Sequence, residues 1–377
     1  MGGGLLQLVA YGAQDVYLSG NPQITFFKVA YRRHTNFSME SIEQTFNGNA
    51  DFGRRVTCQI SRNGDLIHRM YLQVELKDAK FGANSYAGLA LVKSVELEIG
   101  GQRIDKQYGD WMYIWNELSL PTGKKDGFKS MIGATESEIT VAADTMLYVP
   151  LEFWFCRNPG LALPLIALQY HEVKVNIEFD TLVNAGISEG SMGTTALWVD
   201  YVFLDTDERR RFAQLSHEYL IEQLQFTGEE NITAASNKVK LNFNHPVKEL
   251  VWVMQETNGT FADYTSGSGA TEGNYTVAAK LQLNGHDRFA ERKGKYFNMV
   301  QPFQHHTNVP SNKGINVYSF ALKPEEHQPS GTLNFSRIDS AVLNVTAATG
   351  AARIRVYAVN YNVLRVMSGM GGLAYSN

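Results

Sequence analysis

Val95-Glu96-Leu97-Glu98-Ile99-Gly100-Gly101-Gln102-Arg103 alternates apolar and acidic side chains and then stops on two glycines. Alternation with period two places Val95, Leu97 and Ile99 on one face and the glutamates on the other, the pattern of an antiparallel strand with one buried and one wet side. The pattern returns at a spacing of 184 residues, from Gly101 to Gly285, as Leu281-Gln282-Leu283-Asn284-Gly285, and an arginine follows each copy (Arg103, Arg288). The sequence downstream recurs in the same order. In one half Val149–Phe155 runs into Pro159-Gly160 and then the alternating Val173–Phe179; in the other Val317–Leu322 runs into Pro329-Ser330-Gly331 and then Ala341–Val345. Two ordered matches point to a duplicated β-domain.

Further alternating segments extend this reading: Val56–Ile60, Met70–Leu76, Val239–Phe243 and Ile354–Ala358. Asn63-Gly64-Asp65, between two of them, reads as a hairpin turn. Helical signals are few. Asp205–Gln214 opens with a capping Asp or Thr, has acids in its first turn and ends in Arg209–Arg211, which suits a helix dipole. A second helix is expected around Gly109–Leu118. The glycine-bearing stretches Pro121–Thr145, Asn184–Thr195 and Asn258–Thr276 read as long loops. With 377 residues, 44% of them apolar, the chain can build two cores rather than one. Halves of about 180 residues, nearly all strand, fit antiparallel sandwiches of the jelly-roll type.

Composition excludes several function classes. Formal net charge is −4, without the basic excess that gripping a nucleic-acid backbone calls for, so no direct nucleic-acid binding is expected. Cys58 and Cys156 are too few for a disulfide framework or a four-cysteine metal site and read as buried thiols. No apolar run reaches the roughly 18 residues of a membrane span. The start, Met-Gly-Gly-Gly, lacks the basic and apolar regions of a secretory signal, and Leu6 stands where a myristoylation signal at Gly2 would want Ser or Thr.

No catalytic, cofactor-binding or metal-ligating residue is assigned. The nine histidines (His34, His68, His171, His217, His245, His286, His305, His306, His327) form no H-E-x-x-H, and the adjacent His305 and His306 would face opposite ways on a strand. They read as solvated or hydrogen-bonded. Gly369-Met-Gly371-Gly-Leu-Ala374 matches a dinucleotide fingerprint, but too few residues follow to form its helix, so the segment reads as a flexible tail. Basic clusters at Arg32-Arg33, Arg54-Arg55, Arg209–Arg211 and Arg288–Lys295 read as solvated faces or inter-subunit ion pairs, and the sequons at Asn36, Asn231, Asn258, Asn274, Asn334 and Asn344 carry no expected glycans.

Long contiguous motifs resemble the major capsid proteins of large double-stranded DNA viruses, most of all the algal-virus branch. They run from Leu8–Lys28 and Tyr31-Arg-Arg through Ile60–Leu66, Val95–Asp105, Pro159–Val173, His217–Phe226, Leu241–Pro246, Leu281–Gly285 and Asn334–Asp339 to Tyr361–Arg365 and Met367–Tyr375, covering both halves and both termini. The resemblance implies an all-β double jelly roll of two consecutive eight-stranded sandwiches, a homotrimer of pseudo-hexagonal outline, and an icosahedral shell over an internal membrane. It also implies late expression, assembly in the host cytoplasm, and minor capsid and penton proteins as further partners. Pro121–Thr145 and Asn258–Thr276 are shorter than their counterparts in that branch, so glycan positions do not carry over. The expected division is 1–25 N-terminal arm, 26–204 first jelly roll, 205–218 helical connector, 219–366 second jelly roll and 367–377 C-terminal tail.

Two expectations about surfaces follow, and one competing class is set aside. Tyr108, Trp111, Tyr113 and Trp115 read as exposed anchors of a subunit interface. The arm, with Leu5, Leu6, Leu8, Val9, Tyr11, Val16, Tyr17 and Leu18 but one charge, Asp15, is too apolar for a solvated tail and too short for its own core, so it should fold onto a partner. The competing class, a carbohydrate-binding or cupin-like jelly roll, is disfavoured because no H-x-H pair and no paired acids in one loop occur.

Overall fold

A computed structural model describes residues 3–10, 12–82, 85–135, 139–140, 144–257, 259–265, 272–349, 351 and 353–375. The chain divides into two compact units, Met1–Asn36 and Phe37–Asn377. The first carries helices at Gly3–Val9 and Val16–Ser19, and Asp15 Oδ2 accepts the Gly12 N–H at 2.6 Å. Its apolar side chains are exposed, up to 97% at Phe27.

The larger unit holds two jelly rolls. In the first, the strands are β1 Phe37–Gln44, β2 Arg55–Gln59, β3 Leu66–Phe81, β4 Val92–Ile99, β5 Gln102–Tyr108, β6 Thr145–Pro150, β7 Val173–Phe179 and β8 Ile187–Leu204. They form two antiparallel sheets, β1-β8-β3-β6 and β2-β7-β4-β5. In the second, β9 His217–Asn231, β10 Ser236–Lys240, β11 Pro246–Gln255, β12 Thr276–Leu283, β13 His286–Asp287, β14 Asn316–Ser319, β15 Ala341–Ala347 and β16 Arg353–Met367 pair as β9-β16-β11-β14 and β10-β15-β12-β13. The order is identical, so the duplication is real at the level of topology. The two glycine-bearing hairpins correspond as well: Gly100-Gly101 and Asn284-Gly285 all have positive φ, which the tight β4–β5 and β12–β13 turns require. Gly109 and Gly294 also match. A Cβ on Gly109 would collide with the Leu89 and Val92 carbonyls, and one on Gly294 with the Thr276 carbonyl, and Val92 and Thr276 are the first residues of β4 and β12.

Between the rolls lies α3, Thr206–Gln214, with Asp205 as its N-cap and Oδ1 of that residue accepting the Thr206 N–H at 2.7 Å. Arg209 anchors the helix to Asp65 of the first roll at 2.9 Å. Inside the first roll, Leu72, Val74, Leu97, Val175 and Val199 fill the space between sheets; Leu250, Trp252, Leu281, Leu343 and Val356 do so in the second.

Several sequence expectations are corrected. Asn63–Asp65 is no hairpin: β2 and β3 lie in different sheets, and the segment crosses between them, held by the Asp65 carboxylate accepting the Leu204 N–H at 2.8 Å. Pro121–Thr145 contains the helix α2, Thr122–Met131, and Asn184–Thr195 is largely the start of β8, where register shifts between Glu189 and Ser191 and between Met192 and Thr195 absorb Gly190 and Gly193. The glycine run read as a flexible tail is ordered over Met370–Leu373, a strand, β17, paired with β16. In the third expected loop, Asn258 and 266–271 lie outside the described residues.

Candidate assembly surfaces

The seam between the rolls is built from aromatic packing and partly buried polar contacts. Helix α1, Gly109–Ser119, leaves the end of β5 and lies against the outer face of the sheet formed by β9, β16 and β11. Tyr108 stands edge-on to Phe226 with ring centroids 5.0 Å apart, Phe226 stacks on Tyr357 at 4.7 Å, and Trp111 meets Tyr357 at 5.5 Å. The anchors expected on a subunit surface are therefore mostly internal. Trp111, Tyr113 and Trp115 are buried, because the chain's own second roll covers them; Tyr108 is half-buried.

Polar contacts fix this seam in register. Asp105 Oδ1 accepts the Leu224 N–H at 3.1 Å, and the Gln223 amide donates to the Ile104 carbonyl. Burial pushes the Asp105 carboxyl up to about 6, against the pull of hydrogen bonds from Leu224, Gln107 and Lys106 and of the Arg157 charge. Arg355 reaches Asp110, whose carboxylate also accepts the Tyr264 hydroxyl at 3.1 Å. Glu117 accepts the Ser311 hydroxyl at 2.6 Å. Arg157, stacked over Trp115 at 4.2 Å, pairs with Glu222 at 3.0 Å, and Glu222 pairs with the buried Lys248 at 2.7 Å. Burial opposes the Glu222 charge, but His327, Lys248 and Arg157 outweigh it and hold the carboxyl at about 2. Beside this network His306 is sandwiched between Glu249, 2.8 Å from Nε2, and Glu325, 2.9 Å from Nδ1. Burial works against a charged ring there, and the two carboxylates still push it up to about 9.

The strand β17 adds a strap across the seam. Leu373 donates its N–H to Gln102 Oε1 at 3.1 Å, and the Gly371 carbonyl lies 2.9 Å from His171 Nδ1. Gly371 sits so close to Leu168 that a side chain there would displace it. The glycine run that resembled a nucleotide fingerprint is thus a packing device.

Outside the seam each roll has an uncovered apolar area among its described residues. On the first roll it lies on β1, β8, β3 and β6, with Met39 at 49% and Tyr148 at 37% exposed beside Tyr71 and Trp198. On the second it surrounds the helical segment Tyr296–His305, with Phe303 at 79% and Leu322 at 72% exposed.

Nothing in the described residues gathers three or more His, Cys, Asp or Glu side chains into a metal site. Cys58 and Cys156 are free thiols whose values burial pushes up, Cys58 to about 11. Sequence reasoning passed over Asp105, Glu222 and Lys248, and it named His306 only as a solvated or hydrogen-bonded histidine, without its two glutamate partners. One signal was present: Lys248-Glu249 interrupts the apolar run Val247–Met254, and charges inside such a strand require buried partners.

Comparison with known proteins bears on these surfaces. The family described as "Large eukaryotic DNA virus major capsid protein" matches residues 208–372, and that described as "Major capsid protein N-terminus" matches residues 25–205. The chain is 62% identical to the major capsid protein of Pyramimonas orientalis virus and 48% identical to that of Paramecium bursaria Chlorella virus 1, in each case over all of both chains. Among solved structures it is similar to a chain of the quasi-atomic PBCV-1 virus capsid, with TM-score 0.84 and 44% identity over 94% of this chain and all of that one.

Proposed function

The chain belongs to the family of large eukaryotic DNA virus major capsid proteins, and from that premise we infer that it assembles as a homotrimer of pseudo-hexagonal outline that tiles an icosahedral shell. Its role is structural rather than enzymatic, as a component of the virion capsid. The trimer reading is carried by one observation. Within the chain, β5 and α1 of the first roll meet β9, β16 and β11 of the second, so that two similar units stand side by side through a heterologous contact. That contact leaves the β1 side of the first roll and the β13 side of the second uncovered. A heterologous contact repeated by rotation closes into a ring, and six similar units from three chains close at the sixfold position of a hexagonal lattice.

The finer parts of the reading follow the family resemblance. The divisions 26–204, 205–218, 219–366 and 367–377 are duplicated roll, connector, second roll and terminal segment. The arm 1–25 meets minor capsid or penton proteins on the inner face, near an internal membrane, and its exposed apolar side chains support a partner there. Assembly takes place in the host cytoplasm, late in infection. Electron micrographs of purified capsomers test the trimer: six lobes of alternating shape are expected, and two-lobed particles would remove it.

A further inference from the structure

Ring closure by three chains requires the uncovered edge of each first roll to meet the uncovered edge of a neighbour's second roll, and the internal duplication fixes which residues face each other. Counting from the turns, Ser94 and Ala278 each stand five residues before the last residue of their strand, Ile99 and Leu283. Ser94 pairs with Tyr108 and Ala278 with Lys293, so Lys293 occupies in the second roll the position of Tyr108 in the first. On the other edge, Ile67 pairs with Tyr201 and Val247 with Asn360 at the start of β3 and β11. Three residues further along lie Trp198 and Tyr357, paired across the sheet with Glu43 and Phe226. Glu43 therefore holds the position of Phe226.

Tyr108 touches Phe226 across the seam inside the chain. We propose that Lys293 of one chain meets Glu43 of the next in the corresponding place, in an interface between copies that repeats the internal seam; this rests on the trimer reading above. The same correspondence carries a second pair. Gln223 donates to Ile104 across the seam, and their counterparts are Glu40, opposite Tyr201 on β1, and Arg288, three residues after Gly285 as Ile104 is after Gly101. Both pairs are of opposite charge, all four side chains are exposed, and none of the four has an ion-pair partner among the described residues. Opposite charges on the two edges make the surfaces complementary and set the register of docking.

Apolar matching agrees. Trp111 stands two residues after Gly109, and Tyr296 two after Gly294, so the Trp111–Tyr357 contact inside the chain becomes Tyr296 against the neighbour's Trp198. Trp198 stacks on Tyr71, which in turn meets the exposed Tyr148, and its indole N–H is buried with no hydrogen-bond partner among the described residues. The basic cluster Arg288–Lys295 noted in the sequence thus gains a role as the charged rim of this contact.

Native mass spectrometry of the full-length wild type separates the two ideas: a monomer removes the trimer reading, and a trimer leaves the pairing to be judged by variants. E43K and K293E each set like charges face to face at all three interfaces, and each should raise the concentration for half-dissociation at least about tenfold. E43K/K293E in one chain restores opposite charges and should return to within about threefold of wild type. In parallel, E43C/K293C treated with a bis-maleimide should give covalent trimers while each single cysteine variant gives none. A wild-type trimer that the single charge reversals leave unchanged, a double variant no tighter than the singles, or absence of chain-to-chain linkage would overturn the pairing.

Discussion

Tyr108 and Phe226 stand edge to face, their ring centroids 5.0 Å apart, at the point where the last strand of one roll's inner hairpin meets the first strand of the other roll. The pair belongs to a stack that continues through Tyr357 to Trp111, and it joins two cores that are otherwise separate sandwiches. A protein whose task is to present two units to a lattice needs that junction rigid, and aromatic packing plus Asp105, Glu222 and Arg355 provide it.

Phe226→Ala should therefore weaken the whole molecule and not only its second half. Removal of the ring costs about 2–4 kcal/mol, toward the lower end for a half-buried site. Chemical denaturation will also show whether the rolls then unfold in two steps. A loss below about 0.5 kcal/mol, within the range of ordinary surface substitutions, would mean that the seam is slack.

The His306 sandwich predicts an alkaline weakness. Its folded value, about 9, lies above the ordinary 6.5, so its stabilising contribution is complete below about pH 6.5 and is lost as pH rises through 9. Glu222 behaves oppositely: held at about 2, it contributes above its ordinary 4.5 and loses that contribution as pH falls toward 2. Melting temperature should fall between pH 7 and 9.5 in the wild type, and less steeply in His306→Gln. Parallel curves for the two proteins would refute the assignment.

Gly109→Ala and Gly294→Ala should cost similar amounts, about 1–3 kcal/mol each, because in both a methyl group must displace a backbone carbonyl at the start of the neighbouring strand. Gly123→Ala, which meets nothing within 4 Å, serves as the control and should be neutral or slightly stabilising. Unequal costs at the two matched glycines would weaken the case for equivalent rolls.

Deleting Gly2–Asn21 should leave a folded trimer that no longer forms closed shells. Hydrogen exchange should find the arm unprotected in free capsomers and protected in particles. Equal protection in both states would place the arm in the capsomer's own fold.

Much of this architecture was legible in the chain. Alternation in Val95–Ile99 and its echo at Leu281–Leu283 gave the strands, the Asn284-Gly285 turn gave their equivalence, and Asp205 gave the cap of α3. The rest depended on contacts between distant segments. Asn63-Gly64 carries hairpin chemistry whether the next strand returns beside the last or crosses to the opposite sheet. Trp111 and Trp115 lie in an expected helix whose sequence does not say what covers it, and only the position of the second roll decides that they are internal. The Arg157–Glu222–Lys248 network joins residues far apart in sequence and has no local signature beyond charges in an apolar strand.

Native mass spectrometry of the purified full-length chain at micromolar concentration tests the central claim most directly. A species at three times 42.1 kDa that persists on dilution is predicted, since the proposed ring of three chains covers both exposed edges. A persistent monomer, or a dimer as the largest closed species, would contradict the account.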